Sequence, residues 1–266
     1  MAVTLLFYNF KGGVGKTTLS VIAADHLSRC KKKVLLIDLD AQASATQIME
    51  VSYGTITIKK ELRNSLNDNT LEESVVTLDD YLDIIPSDWS MSLWNQDTEK
   101  LTKHDRDLVL KKDLLSLKNN YDYIILDVPP TLSTLVNNAV LASDYVALVL
   151  QTQRSSYESV LNTIQYLSQL QNDYANESNF DLVGIILYLV SRNGATDLDI
   201  VKKAKDLFGN SIFTNQILRR ERVKMWANHG ITHKKNDIHD KQTHEMYSLV
   251  LHELLYRIGM AETTKK

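Results

Sequence analysis

Cysteine is almost missing from this chain: Cys30 stands alone in 266 residues, which excludes an intrachain disulfide framework and any cluster of cysteine ligands. Proline occurs three times and glycine nine, with no cluster of either to mark a domain boundary. There is no internal repeat and no low-complexity tract. No run of 18 apolar residues occurs, nor a charged-then-apolar leader, so nothing in the sequence reads as spanning a membrane or directing export. What is present, 44% hydrophobic and 24% charged residues, suffices to bury a sizeable core, and residues 1–266 read as one α/β domain. The net charge of −3 is unevenly spread. Residues 180–266 hold 14 Lys and Arg against 10 Asp and Glu, a net of +4, so residues 1–179 carry −7. A basic C-terminal third hints at a nucleic-acid face.

The most informative stretch is Lys11-Gly12-Gly13-Val14-Gly15-Lys16-Thr17-Thr18. It follows an apolar run, Ala2 to Tyr8, that reads as a buried parallel strand, and it opens a helix expected over Thr17 to Arg29. Three glycines let the backbone turn its N–H groups inward around an anion, Lys16 reaches outer phosphates, and the Thr17 hydroxyl suits magnesium. The glycines answer to geometry, through positive φ angles and the close approach of a phosphate. A second lysine, Lys11, is not required by an ordinary phosphate loop.

Lys-Gly-Gly-x-Gly-Lys-Thr-Thr resembles the signature of the deviant Walker A ATPases, the ParA/MinD superfamily. The resemblance implies a P-loop NTPase with a doubly wound, mostly parallel sheet and helices on both faces. It also implies that Lys11 crosses a dimer interface to the phosphates held by the other subunit. A cation facing a triphosphate would offset charge that opposes closing two nucleotide sites together.

Val34 to Leu39 is a near-continuous apolar run, expected as a central strand, and it ends in Asp38-Leu39-Asp40-Ala41-Gln42. Alternation puts Asp38 and Asp40 on one face at the sheet edge where α/β proteins bind ligands. In the family pattern, Asp-x-Asp-Pro-Gln, Asp40 matches the residue that positions the attacking water and Asp38 the one near magnesium. For Asp38, capping of a helix expected from about Ser44 to Glu50 is the alternative. The chain departs from the pattern at Ala41, usually proline, and at Ala43-Ser44, usually Gly-Asn. Tyr121 to Pro130 reads as a strand of four hydrophobes running into Asp127, a magnesium carboxylate of Walker B type, stopped by Pro129 and Pro130.

Between these motifs the pattern is weak. Leu82 to Pro86 reads as a short strand, Asn64 to Thr70 as a turn, Trp89 to Lys118 as charged helix, and Trp89 and Trp94 as packing residues. Tyr145 to Leu150 and Leu182 to Val190 read as strands flanking an amphipathic helix from about Ser155 to Gln171. The order is βαβα throughout, which implies right-handed crossovers and a parallel sheet.

In the C-terminal third, Asn215 to Lys224 occupies the place of the family's Ile-Pro-Arg-Asn-Val-Arg-Leu stretch. Leu218 and Arg220 stand where the family contacts adenine. Arg192 and Arg219 match positions associated with non-specific DNA binding, with Arg222 and Lys224 extending the patch and Lys202, Lys203 and Lys205 as further cations. His229, His233, His239 and His244 have spacings within metal-ligand range, but no cysteine joins them, and they read as surface and packing residues. The final helix carries an apolar stripe, Tyr247, Val250, Leu251, Leu254 and Ile258, without the basic excess of a membrane-surface helix, so it reads as docked.

Taken together, the resemblance implies a cytoplasmic, nucleoid-associated ATPase of plasmid or chromosome segregation using ATP and Mg2+. It would form a homodimer in the ATP state, bind DNA non-specifically, and be stimulated by a ParB-type partner, without a membrane. The first strand opens the chain, so an N-terminal helix-turn-helix domain and operator-specific repression are not expected. Two other classes share the loop: a MinD-like membrane-surface positioning ATPase and an ATP-dependent small-molecule synthetase.

Overall fold

Apolar side chains on both faces of the central strands decide the architecture. The computed structural model describes residues 1–191 and 194–264. Among them, β1 (Val3–Tyr8), β2 (Val34–Asp38), β3 (Val76–Asp79), β4 (Leu82–Ile85), β5 (Tyr123–Asp127), β6 (Tyr145–Gln151) and β7 (Asp181–Tyr188) form one sheet. The order is β3-β4-β2-β5-β1-β6-β7, and every neighbouring pair is parallel except β3 with β4.

The helices are α1 (Lys16–Arg29), α2 (Ser44–Tyr53), α3 (Leu62–Asp68), α4 (Trp94–Asp97), α5 (Lys103–Asp107) and α6 (Val109–Leu117). They continue with α7 (Thr134–Ala142), α8 (Arg154–Asp173), α9 (Ala195–Phe208), α10 (Glu221–His229) and α11 (Ile238–Thr264). Period-two alternation splits the strands between two cores. Leu6, Tyr8, Leu35, Ile37, Ile124 and Leu126 pack with α3, α6, α7 and α8. Leu5, Phe7, Val34, Leu36 and Ile125 pack with α1, α2, α10 and α11. The result is the doubly wound sheet covered on both sides, a single P-loop NTPase-like domain.

Where the sequence pattern is strong, elements fall within a few residues of expectation, and where it is weak they do not. Asn64 to Thr70 is not a turn: Leu62 and Leu66, one helical turn apart, are buried as part of α3. The helix expected over Trp89 to Lys118 breaks into short 3-10 and α segments, because Asp88 and Thr102 each cap a new start with their side chains. Trp94 is buried as a packing residue, whereas Trp89 is 72% exposed, contrary to its expected packing role. The antiparallel edge strand β3 is too short, at four residues, to leave a readable pattern. The last helix is docked as expected: Tyr247, Val250, Leu251, Leu254 and Ile258 are all buried against α1 and β7. Among the described residues no helix is long and apolar enough to cross a membrane.

Candidate functional site

β1, β2 and β5 lie side by side and end together, so the loop after β1 and the carboxylates of β2 and β5 converge on one edge. Asn9, directly after β1, shapes the loop. Its buried amide donates to Val149 O at 2.7 Å, and its Oδ1 accepts the Lys11 N–H at 2.9 Å. Gly13 and Gly15 have φ of +73° and +96°, the left-handed region that favours glycine. Gly15 also leaves room for a neighbour: a Cβ there would stand 2.1 Å from the ring of Tyr188. Gly12 is under neither constraint, since its Cβ would meet Pro130 at an ordinary 3.6 Å. The geometric reason expected for all three glycines therefore holds within the protein for two. Val14 is fully buried and anchors the loop in the core.

Lys16 is buried, with Nζ donating to Lys11 O at 3.1 Å. Burial pushes its ammonium down to about 8, although the charges of Asp127 and Asp40 act to keep it protonated. Asp38 and Asp127 are register partners on β2 and β5, both fully buried. Burial and then the neighbouring Asp38 push the Asp127 carboxyl up to about 8, and burial raises Asp38 to about 6. Ser20 Oγ donates to Asp127 Oδ1 at 3.1 Å, while Oδ2 is buried without a hydrogen bond. An unpartnered carboxylate oxygen beside a lysine and the Thr17 hydroxyl is an unfinished arrangement, one that a hydrated divalent cation with an anion would complete.

Asp38 has both oxygens occupied. Oδ1 accepts Asp40 N at 3.1 Å, and Oδ2 accepts Thr46 N and Thr46 Oγ1, each at 2.8 Å. This is the helix-capping arrangement: Ala43, the N-cap residue of α2, has no side-chain oxygen to offer and sits at φ +53°. A glycine would hold that angle without strain. Asp40 points out of the strand end toward the cavity, its Oδ1 accepting only Gln42 N at 3.0 Å.

A cavity of about 630 Å³ opens over this edge. Gly12, Gly13, Gly15, Lys16, Thr17, Thr18 and Asp40 form its floor, and Arg219, Arg220, Val223 and Lys224 stand opposite. The sequence reading missed Asn9, Ile48, Tyr188 and Val223. Tyr188 and Ile48 carry no motif, and Asn9 could have been found only from its place just before the loop.

Two assignments in the C-terminal third need correction. Leu218 is not part of the cavity wall. Its side chain packs on the α8 side of the sheet, and its N–H is directed at Met246 Sδ, 3.1 Å away, because Val190 and Leu218 form a bridge that turns it inward. Arg222 is not part of a cationic surface: it is 13% exposed and ion-paired with Asp237, with Asp240 at 3.7 Å. Arg219 is exposed, and Lys224 is exposed beside Glu221. Arg192 lies outside the described residues. Lys11 does not line the cavity either; its Nζ is held by Gln153 Oε1 at 2.6 Å and Ser155 Oγ at 2.8 Å.

Fold and site together define a P-loop nucleoside triphosphatase. The family model described as AAA domain matches residues 2–181. A virulence plasmid ParA family protein of Chlamydia psittaci is 32% identical over 224 residues, 81% of this chain and 80% of that protein. The sporulation initiation inhibitor protein Soj of Bacillus subtilis is 29% identical over 239 residues, 86% and 89% of the two chains. A plasmid partition protein from Borrelia burgdorferi, solved bound to AMPPNP, superposes with a TM-score of 0.74 at 26% identity, covering 95% of this chain and 99% of that one. The chain belongs to the ParA family of ATPases.

The burial of Asp127 has a measurable consequence when nucleotide and divalent cations are withheld. Its folded-state pKa lies above the unfolded one, so the native state binds the extra proton and parental stability declines as pH rises from about 4 to about 8. Asp127→Asn cannot titrate there. Its urea midpoint should gain on the parent's across that window and level off above it, by about 1 kcal/mol or more at the plateau. Arg222→Ala should cost about 1 kcal/mol in the same experiment, because it removes the ion pair with half-buried Asp237 while Asp240 keeps its hydrogen bonds from Trp226, Thr232 and Lys234.

Proposed function

We propose that this chain is a ParA-type ATPase of DNA segregation, in which ATP with Mg2+ joins two copies into a dimer. The dimer binds DNA without sequence preference, and hydrolysis releases it. Lys16 and the loop N–H groups hold the β- and γ-phosphates. Thr17 and Asp127, the latter through water, hold magnesium, which neutralises charge on the transferred phosphoryl group when bound. Asp38 keeps the start of α2 in place beside them. Asp40 holds the attacking water in line, the positioning that phosphoryl transfer needs most.

The observation that carries the reading is the place of Lys11. A lysine five residues ahead of the phosphate lysine stays outside its own cavity, tethered among the described residues by Gln153 and Ser155 at the surface. A partner's triphosphate would offer that ammonium a far stronger counter-charge than two neutral oxygens. Contact with adenine falls to Arg220 and Val223 across the cavity, in place of Leu218. Contact with DNA falls to Arg219, Lys224 and Arg192, with Arg222 removed. A ParB-type partner would accelerate turnover on the nucleoid. The buried apolar stripe of α11 favours this reading over a membrane-surface ATPase.

Size exclusion with light scattering tests the core of it. Asp40→Ala with ATP should run at twice its nucleotide-free mass and fail to hydrolyse. Lys16→Ala should stay monomeric and bind no nucleotide, having lost the main counter-charge. Lys11→Ala should bind ATP and remain a monomer; a Lys11→Ala dimer with parental turnover would refute the bridging role. The ATP-bound dimer should retard DNA of any sequence, with affinity falling steeply as salt rises, and equal retardation in ADP would remove the switch.

A further inference from the structure

We propose that Asp25, His233 and His244 form a site for one divalent transition-metal ion of the zinc class, fastening the C-terminal segment to α1. The three residues come from α1, the loop between α10 and α11, and α11. His233 Nε2 is 3.0 Å from each carboxylate oxygen of Asp25, across 208 positions of sequence. One ligand atom from each of the three residues lies within 4.8 Å of the others. Two imidazoles and a carboxylate are the donors that zinc, cobalt and nickel accept and that magnesium, which prefers oxygen alone, does not.

The surroundings hold these groups in place. Asp25 is buried, and its Oδ2 has no hydrogen bond, while Oδ1 accepts the Tyr53 hydroxyl at 2.7 Å and Arg29 Nε at 3.2 Å. His244 Nε2 is 2.6 Å from Thr232 O, and because a carbonyl can only accept, that nitrogen carries the hydrogen and Nδ1 keeps a lone pair. A backbone carbonyl on the second nitrogen is the usual partner of a metal-bound histidine. Asp240 fixes the loop on either side of His233, accepting Thr232 Oγ1 at 2.7 Å and Lys234 N at 2.7 Å.

The two imidazoles stack with centroids 4.2 Å apart and planes 17° apart, so capture turns one ring until both lone pairs meet at a common point. His233, on a loop and with its side chain 27% exposed, carries the ring that turns, and the half-exposed Arg29 is the cation displaced from Asp25. Three protein ligands leave a fourth position for water. The ion would tie α1, which begins at the phosphate loop, to the loop following α10, whose Val223, Lys224 and Ala227 line the opposite wall of the nucleotide cavity.

The test uses the full chain without an affinity tag, stripped with EDTA and titrated with Co(II) in the absence of nucleotide. The expected result is a saturable visible ligand-field band at one equivalent, displaced by Zn(II), with a raised Tm. His233→Ala and His244→Ala, checked for folding by circular dichroism, should each weaken Co(II) binding about tenfold or more. A second group, His26 with His252 and Cys30, lies nearby, so His252→Ala serves as the control and should bind as the parent does. No band at stoichiometric cobalt, parental affinity in folded His233→Ala, or loss of binding in His252→Ala alone would each overturn the assignment.

Discussion

A lysine and two carboxylates buried within reach of one another, with too few partners between them, are the constraint around which the rest of the site is arranged. Lys16, Asp38 and Asp127 have almost no contact with solvent, and burial moves each toward its neutral form. Folding tolerates this because Asp38 is absorbed by the start of α2 and Lys16 by a carbonyl of its own loop. Asp127 is left with one oxygen unsatisfied. An anion on Lys16 and a cation on Asp127 would restore both charges at once, so the groups that weaken the empty protein are those that give it affinity.

The scaffold behind the loop explains how the charges stay aimed. Asn9 ties the loop to β6 and to its own turn, and Tyr188 fills the space that Gly15 vacates. The Tyr188 hydroxyl lies 3.0 Å from that of Tyr247 on α11, so the phosphate loop rests on the final helix through two buried rings. That chain of contacts gives α11 a structural task and accounts for its buried stripe without reference to a membrane. The opposite wall belongs to the segment after β7, where Arg219 and Arg220 reach the cavity while Leu218 and Arg222 turn away. The bridge of Leu218 to Val190 and the pairing of Arg222 with Asp237 at the start of α10 separate residues that the linear motif groups together.

The phosphate loop, the strand-end carboxylates and the parallel core strands were legible from residue order alone. Their chemistry is local: a turn that needs positive φ at Gly13 and Gly15, an aspartate closing an apolar run, and a helix stripe at regular spacing each depend on near neighbours. The same holds for α11, whose stripe told of burial before any partner was known. What tertiary structure alone decided lies in contacts between distant segments. Asp38 became a capping group because α2 begins beside β2, and Arg222 became an internal ion pair because Asp237 and Asp240 fold back over it. His233 and His244 meet Asp25 across most of the chain's length. A charged side chain is written the same way whether water or a buried partner receives it, and the difference is set by which surfaces the closed chain presses together.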